Sequence, residues 1–347
     1  MVMKHLFIIA AALVLASCGG NSKKGGDPLA DSGRTVRTEA LLQHLKEMGD
    51  SAVYMVGHHD DTMYGIGWVA DTASDASVHQ RSDIKSVCGD FPAVLSSDLG
   101  HIELGQPSNL DGVSFGLMLG ELTAHYNRGG LVSLSWTVDK ADKSEAEISQ
   151  VAHFLNSLQT PYGDKVPVVF RLRGAFDKSL WQKTVQLLKS KGVVNALYAY
   201  SPGIEPEGDA TKYMERYPGD DIIDILGIDS YCVAPEGDTA QVAAYATRLD
   251  RNLDMVCRIA REHDKAVAVT ETGFEGIKTN DWWTHTLAPV LSRHPISYVL
   301  VWRNAHDKPG HFFAPYPGHA SVSDFVQFYN DPQTLFLRDV NGLYLSE

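Results

Sequence analysis

Residues 266–273 read AVAVTETG. Four small or apolar residues in succession, with no polar alternation, describe a strand covered on both faces. That is the pattern of a parallel sheet packed by helices. Seven further runs have the same character: VYMVGH (53–58), AVLSSD (93–98), LVSLSWT (131–137), VPVVFRL (166–172), NALYAYS (195–201), IDILGIDSY (223–231) and ISYVLVWR (296–303). Most are separated by amphipathic stretches, with the clearest helices expected at 145–157, 178–192, 241–263 and 281–293. Eight strands alternating with helices predict an α/β protein, specifically a (β/α)8 TIM barrel. A doubly wound sheet is disfavoured. Its first strand would lead into a glycine-rich phosphate loop, where this chain has GHHDDTMYG (57–65).

The polar and aromatic residues gather where the runs end. His58, His59, Asp60 and Asp61 follow the first and Asp98 closes the second, while Ser135, Trp136 and Thr137 close the third. Tyr200 and Ser201 end the fifth, Asp229 and Tyr231 the sixth, Glu271 the seventh, and Trp302, Arg303 and Asn304 the eighth. In a (β/α)8 barrel the C-terminal strand ends line the active-site face. Glu271 is the most informative of these, because burying a lone carboxylate is costly unless something holds it. Arg171, Arg303 or Tyr231 are the candidates to do so, which would keep Glu271 ionised, as a nucleophile requires. Glycoside hydrolysis usually takes two carboxylates. The fourth run delivers no second one, passing instead into Arg173, Gly174 and Ala175.

A flat aromatic ring can stack on a pyranose while polar neighbours read its hydroxyls. Trp302, Trp136, Trp68, Tyr64 and Tyr231 are candidates for such contacts, with His58, Asp61, Asp98 and Arg171 as polar partners; a place in the core is the alternative for each tryptophan. His-His-Asp-Asp at 58–61 invites a metal, but adjacent strand residues point to opposite faces and no distant ligand set completes a site, so none is expected.

The net charge of −13 argues against nucleic acid as a partner and suits a neutral polymer. Residues 1–17 read as a signal peptide whose Leu15-Ala16-Ser17-Cys18 end resembles a lipobox, with Cys18 the lipidated residue. Residues 18–37 read as a flexible tether and 38–347 as the folded domain. The expected location is the cell envelope, with a lipid anchor in the outer membrane. The remaining cysteines, Cys88, Cys232 and Cys257, are odd in number and lack metal-type spacing.

Taken together, GHHDDTMYGIGW, RSDIKSVCGDFPAVLSSDLGHIELG, YAYSPG, ERYPGDDIIDILGIDSY, VTETGFEGI with DWWT, and YVLVWRNA with APYPG resemble glycoside hydrolase family 26. This is the family of β-mannanases, and the resemblance is to its Bacteroides-type lipoprotein members. The resemblance spans the chain from about residue 38 onward. It implies a barrel acting with retention on β-1,4-mannan or galactomannan, without metal or organic cofactor. It also implies that Glu271 is the nucleophile position, Tyr231 the tyrosine beside it, and Trp302 the tryptophan of the cleaved-sugar subsite. The family's fourth strand ends Phe-Arg-Pro-x-His-Glu, with that glutamate as acid/base and a tryptophan-rich segment after it. Here the run is Phe170-Arg171-Leu172-Arg173-Gly174-Ala175, and the tryptophan-rich segment is missing.

Without the acid, departure of a sugar alkoxide loses help worth roughly 10²–10⁴-fold. Asp177, two residues beyond the vacant position, is the candidate substitute. The sequence thus leaves three readings: an enzyme using Asp177, an impaired or non-catalytic mannan-binding lipoprotein, and a decayed gene product.

Overall fold

The computed structural model describes residues 28–70 and 81–346. The expected signal peptide and Cys18 lie outside the described residues. Eight parallel strands form the barrel: β1 (Tyr54–His59), β2 (Val94–Asp98), β3 (Leu131–Val138), β4 (Val168–Gly174), β5 (Ala196–Tyr200), β6 (Ile225–Cys232), β7 (Ala266–Phe274) and β8 (Tyr298–Val301). They pair in chain order, and β8 closes on β1 with Met55 opposite Tyr298 and His58 opposite Val301. The short strand Thr334–Leu335 adds beside the lower end of β1.

Alternation sorts each strand's residues. Met55, Val94, Leu131, Val169, Leu197, Ile225, Ala268 and Tyr298 fill the barrel interior, while Val56, Leu95, Val132, Phe170, Tyr198, Leu226 and Val299 pack outward under the helices. Gly57 faces the interior, where a Cβ would fall 2.7 Å from Val94 Cβ and 3.0 Å from Leu300 Cδ1. Only glycine fits that point of the wall.

The helices are α1 (Val36–Asp50), α2 (Asp83–Cys88), α3 (Phe115–Asn127), α4 (Glu145–Ser157), α5 (Lys178–Ser190), α6 (Ala210–Met214), α7 (Thr239–Glu262), α8 (Ala288–Leu291) and α9 (Val322–Asn330). The stretch expected as one helix over 281–293 is a π-helical turn, Trp283–Leu287, running into α8. Ser144 and Glu147 form a reciprocal capping box at the start of α4.

α1 was not foreseen. It closes the N-terminal mouth of the barrel with Leu41, Leu45 and Met48, which join the interior cluster. The expected tether therefore ends earlier than residue 37. Leu29 bridges to Thr35, and the Arg34 guanidinium makes two hydrogen bonds to Asp224, at 2.9 and 2.7 Å. Among the described residues, no helix is long and apolar enough to cross a membrane.

Candidate active site

The strand register places the central carboxylate. Residues Ala266 to Val269 of β7 pair evenly with Ile225 to Ile228 of β6; then the register shifts between Ile228 and Asp229, so that Asp229 stands opposite Glu271. Both carboxylates reach the C-terminal end of the barrel, and Arg171 of β4 meets them there. Its guanidinium donates to Glu271, and to Asp229 Oδ2 at 3.0 Å. Arg173, two residues on and facing the same way, brings Nε to 2.8 Å from Glu271 Oε1. The Tyr231 hydroxyl donates to Glu271 Oε2 at 2.7 Å.

Glu271 is 1 % exposed, and burial raises its pKa above the ordinary glutamate value. Arg171 opposes that rise, Asp229 adds to it, and Arg173 and Tyr231 pull it back. For Arg171 burial disfavours the charge, but Asp229 and Glu271 more than offset it. Two guanidiniums and two carboxylates thus meet in one network.

Trp302 lies over this network. Its ring stacks on His59 at 4.2 Å with 20° between the planes, and the Arg173 guanidinium carbon sits 4.6 Å from its centroid. Asp98, fully buried, accepts hydrogen bonds from the hydroxyls of Ser135 and Thr137 and from the Gly100 amide. These bonds tie the ends of β2 and β3 together and occupy both of its oxygens.

A cleft of about 770 Å³ opens above, lined by Thr137, Arg173, Gly174, Glu205, Tyr231 and Glu271 among others. A neighbouring cavity of about 420 Å³ is bounded by Tyr64, Leu110, Asp111, Arg303 and His306.

Several expected contact residues take other places. His58 points outward from β1, opposite to His59, and bonds Asp61 Oδ1 at 2.7 Å with both side chains buried. One step of alternation separates the two histidines, and His59 is the one beside Trp302. Trp136 is fully buried in the outer layer and donates its indole N–H to Glu103; Glu103 in turn pairs with the buried Lys143 at 3.0 Å. Trp68 donates to Asp83 at 2.8 Å beneath Arg81. Both indoles are structural supports here rather than open stacking faces. Asp177 is exposed at the N-cap of α5, where its carboxylate accepts from the Leu180 amide at 2.7 Å. Tyr64 hydrogen-bonds Asp60 at 2.7 Å and Arg303 at 3.2 Å.

The structure adds residues that the sequence did not single out. Glu205, on the loop after β5, receives bonds from Ser230 and Asn252 at 2.7 and 2.8 Å and pairs with Arg248 at 3.2 Å. Asp111 comes from the loop before α3 and brings a carboxylate oxygen near a ring nitrogen of His59 and a carboxylate oxygen of Asp60, the three atoms lying within 4.8 Å of one another. A distant ligand was not expected to reach this motif. Arg303 pairs with Asp111 at 3.0 Å and supplies a cation to that cluster. Arg173 was legible in principle, two residues after Arg171 on one strand face; the two loop acids carry no comparable signal.

A closed (β/α)8 barrel with a buried carboxylate, a tyrosine and a tryptophan gathered at its C-terminal face defines the class: a barrel of glycosidase type. The chain belongs to glycoside hydrolase family 26. The family profile, described as glycosyl hydrolase family 26, matches residues 139–253. A solved β-mannanase of this family from Bacteroides ovatus is 42% identical, covering 90% of this chain and 98% of that one with a TM-score of 0.81. A modular endo-β-1,4-mannanase from Cellulomonas fimi is 28% identical, covering 92% of this chain and 80% of that one with a TM-score of 0.75. A mannan endo-1,4-β-mannosidase of Bifidobacterium adolescentis is 25% identical over 94% of this chain, and the chain spans 37% of that protein's length.

Proposed function

We propose that this domain is directed to β-1,4-mannan and holds the polymer with hydrolysis impaired. Its mannanase relatives support the polymer class. One observation carries the impairment: among the described residues lining the cleft, the carboxylates are Glu205, Asp229 and Glu271, and each is held by an arginine. Retaining chemistry needs an acid about 5 Å from the nucleophile, protonated and free to reach the leaving oxygen. The end of β4 offers Gly174 and Ala175 instead. Asp177 is committed to the helix cap, which favours the impaired reading over an enzyme that uses it.

The test is to incubate the full chain with mannan and galactomannan, and to measure reducing ends beside binding by calorimetry. Saturable binding is expected, with hydrolysis no faster than about 1% of a competent relative, as loss of general-acid help predicts. Brisk release of oligosaccharides that vanishes in Glu271→Ala would refute the impairment. Absence of binding to either polymer would refute the ligand class.

A further inference from the structure

The inward row of β4 carries Arg171 and then Arg173, and of the two Arg173 reaches the cleft wall. Arg171 is enclosed, whereas the Arg173 side chain is 30% exposed. Arg173 nevertheless makes a full set of contacts across the cleft. Nε lies 2.8 Å from Glu271 Oε1, one terminal nitrogen 3.4 Å from Oε2, and the other 3.4 Å from Thr137 Oγ1. Its guanidinium carbon lies over the Trp302 ring, and Trp302 keeps only 7% of its surface exposed. A sugar ring seated against Glu271 needs that carboxylate edge and that indole face, and this guanidinium holds both. The charge matches as well. Glycosyl transfer passes through an oxocarbenium-like state, and a planar, delocalised cation held between a carboxylate and an indole places similar charge in the same surroundings.

We propose that Arg173 is a built-in occupant of the sugar subsite at Glu271, closing that carboxylate to glycosides while its side chain is in place. The proposal rests on the reading of Glu271 as the nucleophile position, and it makes the impairment twofold: the acid is absent and the subsite is filled. A substrate must displace a charge-assisted hydrogen bond and a cation–π contact before it can react, which slows attack by about 10–100-fold.

The experiment removes the need for an acid. With 2,4-dinitrophenyl 2-deoxy-2-fluoro-β-mannoside, a Glu271 oxygen forms a bond to the anomeric carbon as the bond from that carbon to the phenolic oxygen breaks. Dinitrophenolate leaves with the electron pair and takes up no proton. The fluorine slows hydrolysis of the resulting ester, so intact mass and peptide mapping count the labelled Glu271. Over an interval in which Arg173→Ala gains one equivalent, the wild-type chain is expected to gain less than about a tenth. Millimolar guanidinium chloride is expected to slow labelling of the Ala variant again, and urea at the same concentration to leave it unchanged.

Equal labelling rates in wild type and Arg173→Ala would overturn the proposal while leaving the mannan reading intact. A folded, mannan-binding Arg173→Ala that stays unlabelled would overturn it as well. Loss of mannan binding in the wild-type chain would instead strike the functional reading on which it rests. Arg173→Gln keeps the length of the side chain without its charge; it is expected to label faster than wild type and provides the comparison if the Ala variant does not fold.

Discussion

Asp60 is enclosed where β1 ends, in a left-handed backbone conformation (φ 54°). One oxygen accepts from the Ser97 hydroxyl at 2.6 Å and the other from Tyr64 at 2.7 Å. Burial and then the neighbouring Asp111 carboxylate push its pKa up to about 7, against the pull of Ser97, Tyr64 and Arg303. The folded chain therefore keeps a proton that the unfolded chain releases near pH 4. Stability from this group is fully present below about pH 4 and is lost as pH rises through about 7. Asp60→Asn suits the left-handed backbone and removes the titration. Urea unfolding at pH 4, 5.5 and 7 is expected to show the variant gaining on wild type as pH rises, by up to about 4 kcal/mol over the range. Parallel stability curves for the two proteins would sink the assignment. At this scale the sequence is legible only to parity. It shows that strand-end polar residues gather on one face of the barrel, but whether His58 or His59 turns inward depends on the register of β1, which a two-histidine run leaves open.

The link from β4 to α5 is fixed by its backbone. Gly174 has φ 83°, and a Cβ there would sit 2.5 Å from the Val138 carbonyl oxygen. The backbone then turns, with the Ala175 amide bonding to that same oxygen at 3.0 Å. Two residues later Asp177 starts the helix. Trp181 anchors α5 by packing edge-on against Phe170, Phe176 and Tyr198. Strand and helix were both readable, since the apolar run and the amphipathic spacing each stand alone. The turn between them was not, because its left-handed glycine looks in sequence like an ordinary substitution. The cap has a measurable consequence. Asp177→Ala is expected to lower stability by about 1 kcal/mol and to leave mannan affinity and any residual hydrolysis unchanged. Loss of residual hydrolysis at unaltered stability would restore Asp177 as an acid/base.

On the scale of the whole molecule, all eight strands could be placed from sequence because each is built on a mainly apolar run, and closure followed from their number. The groups that loops carry into the cleft, Asp111 and Glu205, were beyond reach, since they converge only once the barrel has closed. Several contacts brace the cleft: Tyr231 holds Glu271, Asp98 ties β2 to β3, and Trp302 sits on His59. On the proposed reading, the impairment is seated at the end of β4 and is open to local repair. Replacing residues 172–177 with the corresponding segment of the Bacteroides ovatus β-mannanase would remove Arg173 and the left-handed turn together and, on the proposed reading, restore an acid. Changing Ala175 alone to glutamate leaves Arg173 on Glu271 and the left-handed turn at Gly174 unchanged. The segment exchange is therefore expected to raise reducing-end release from mannan by at least about 100-fold, the lower bound for restored general-acid help, and Glu271→Ala in the chimera should abolish the gain. The single Ala175→Glu variant is expected to stay near wild-type rates. A chimera that folds with wild-type circular dichroism, binds mannan and still does not cleave it would mean that the impairment is spread through the barrel rather than seated at the end of β4.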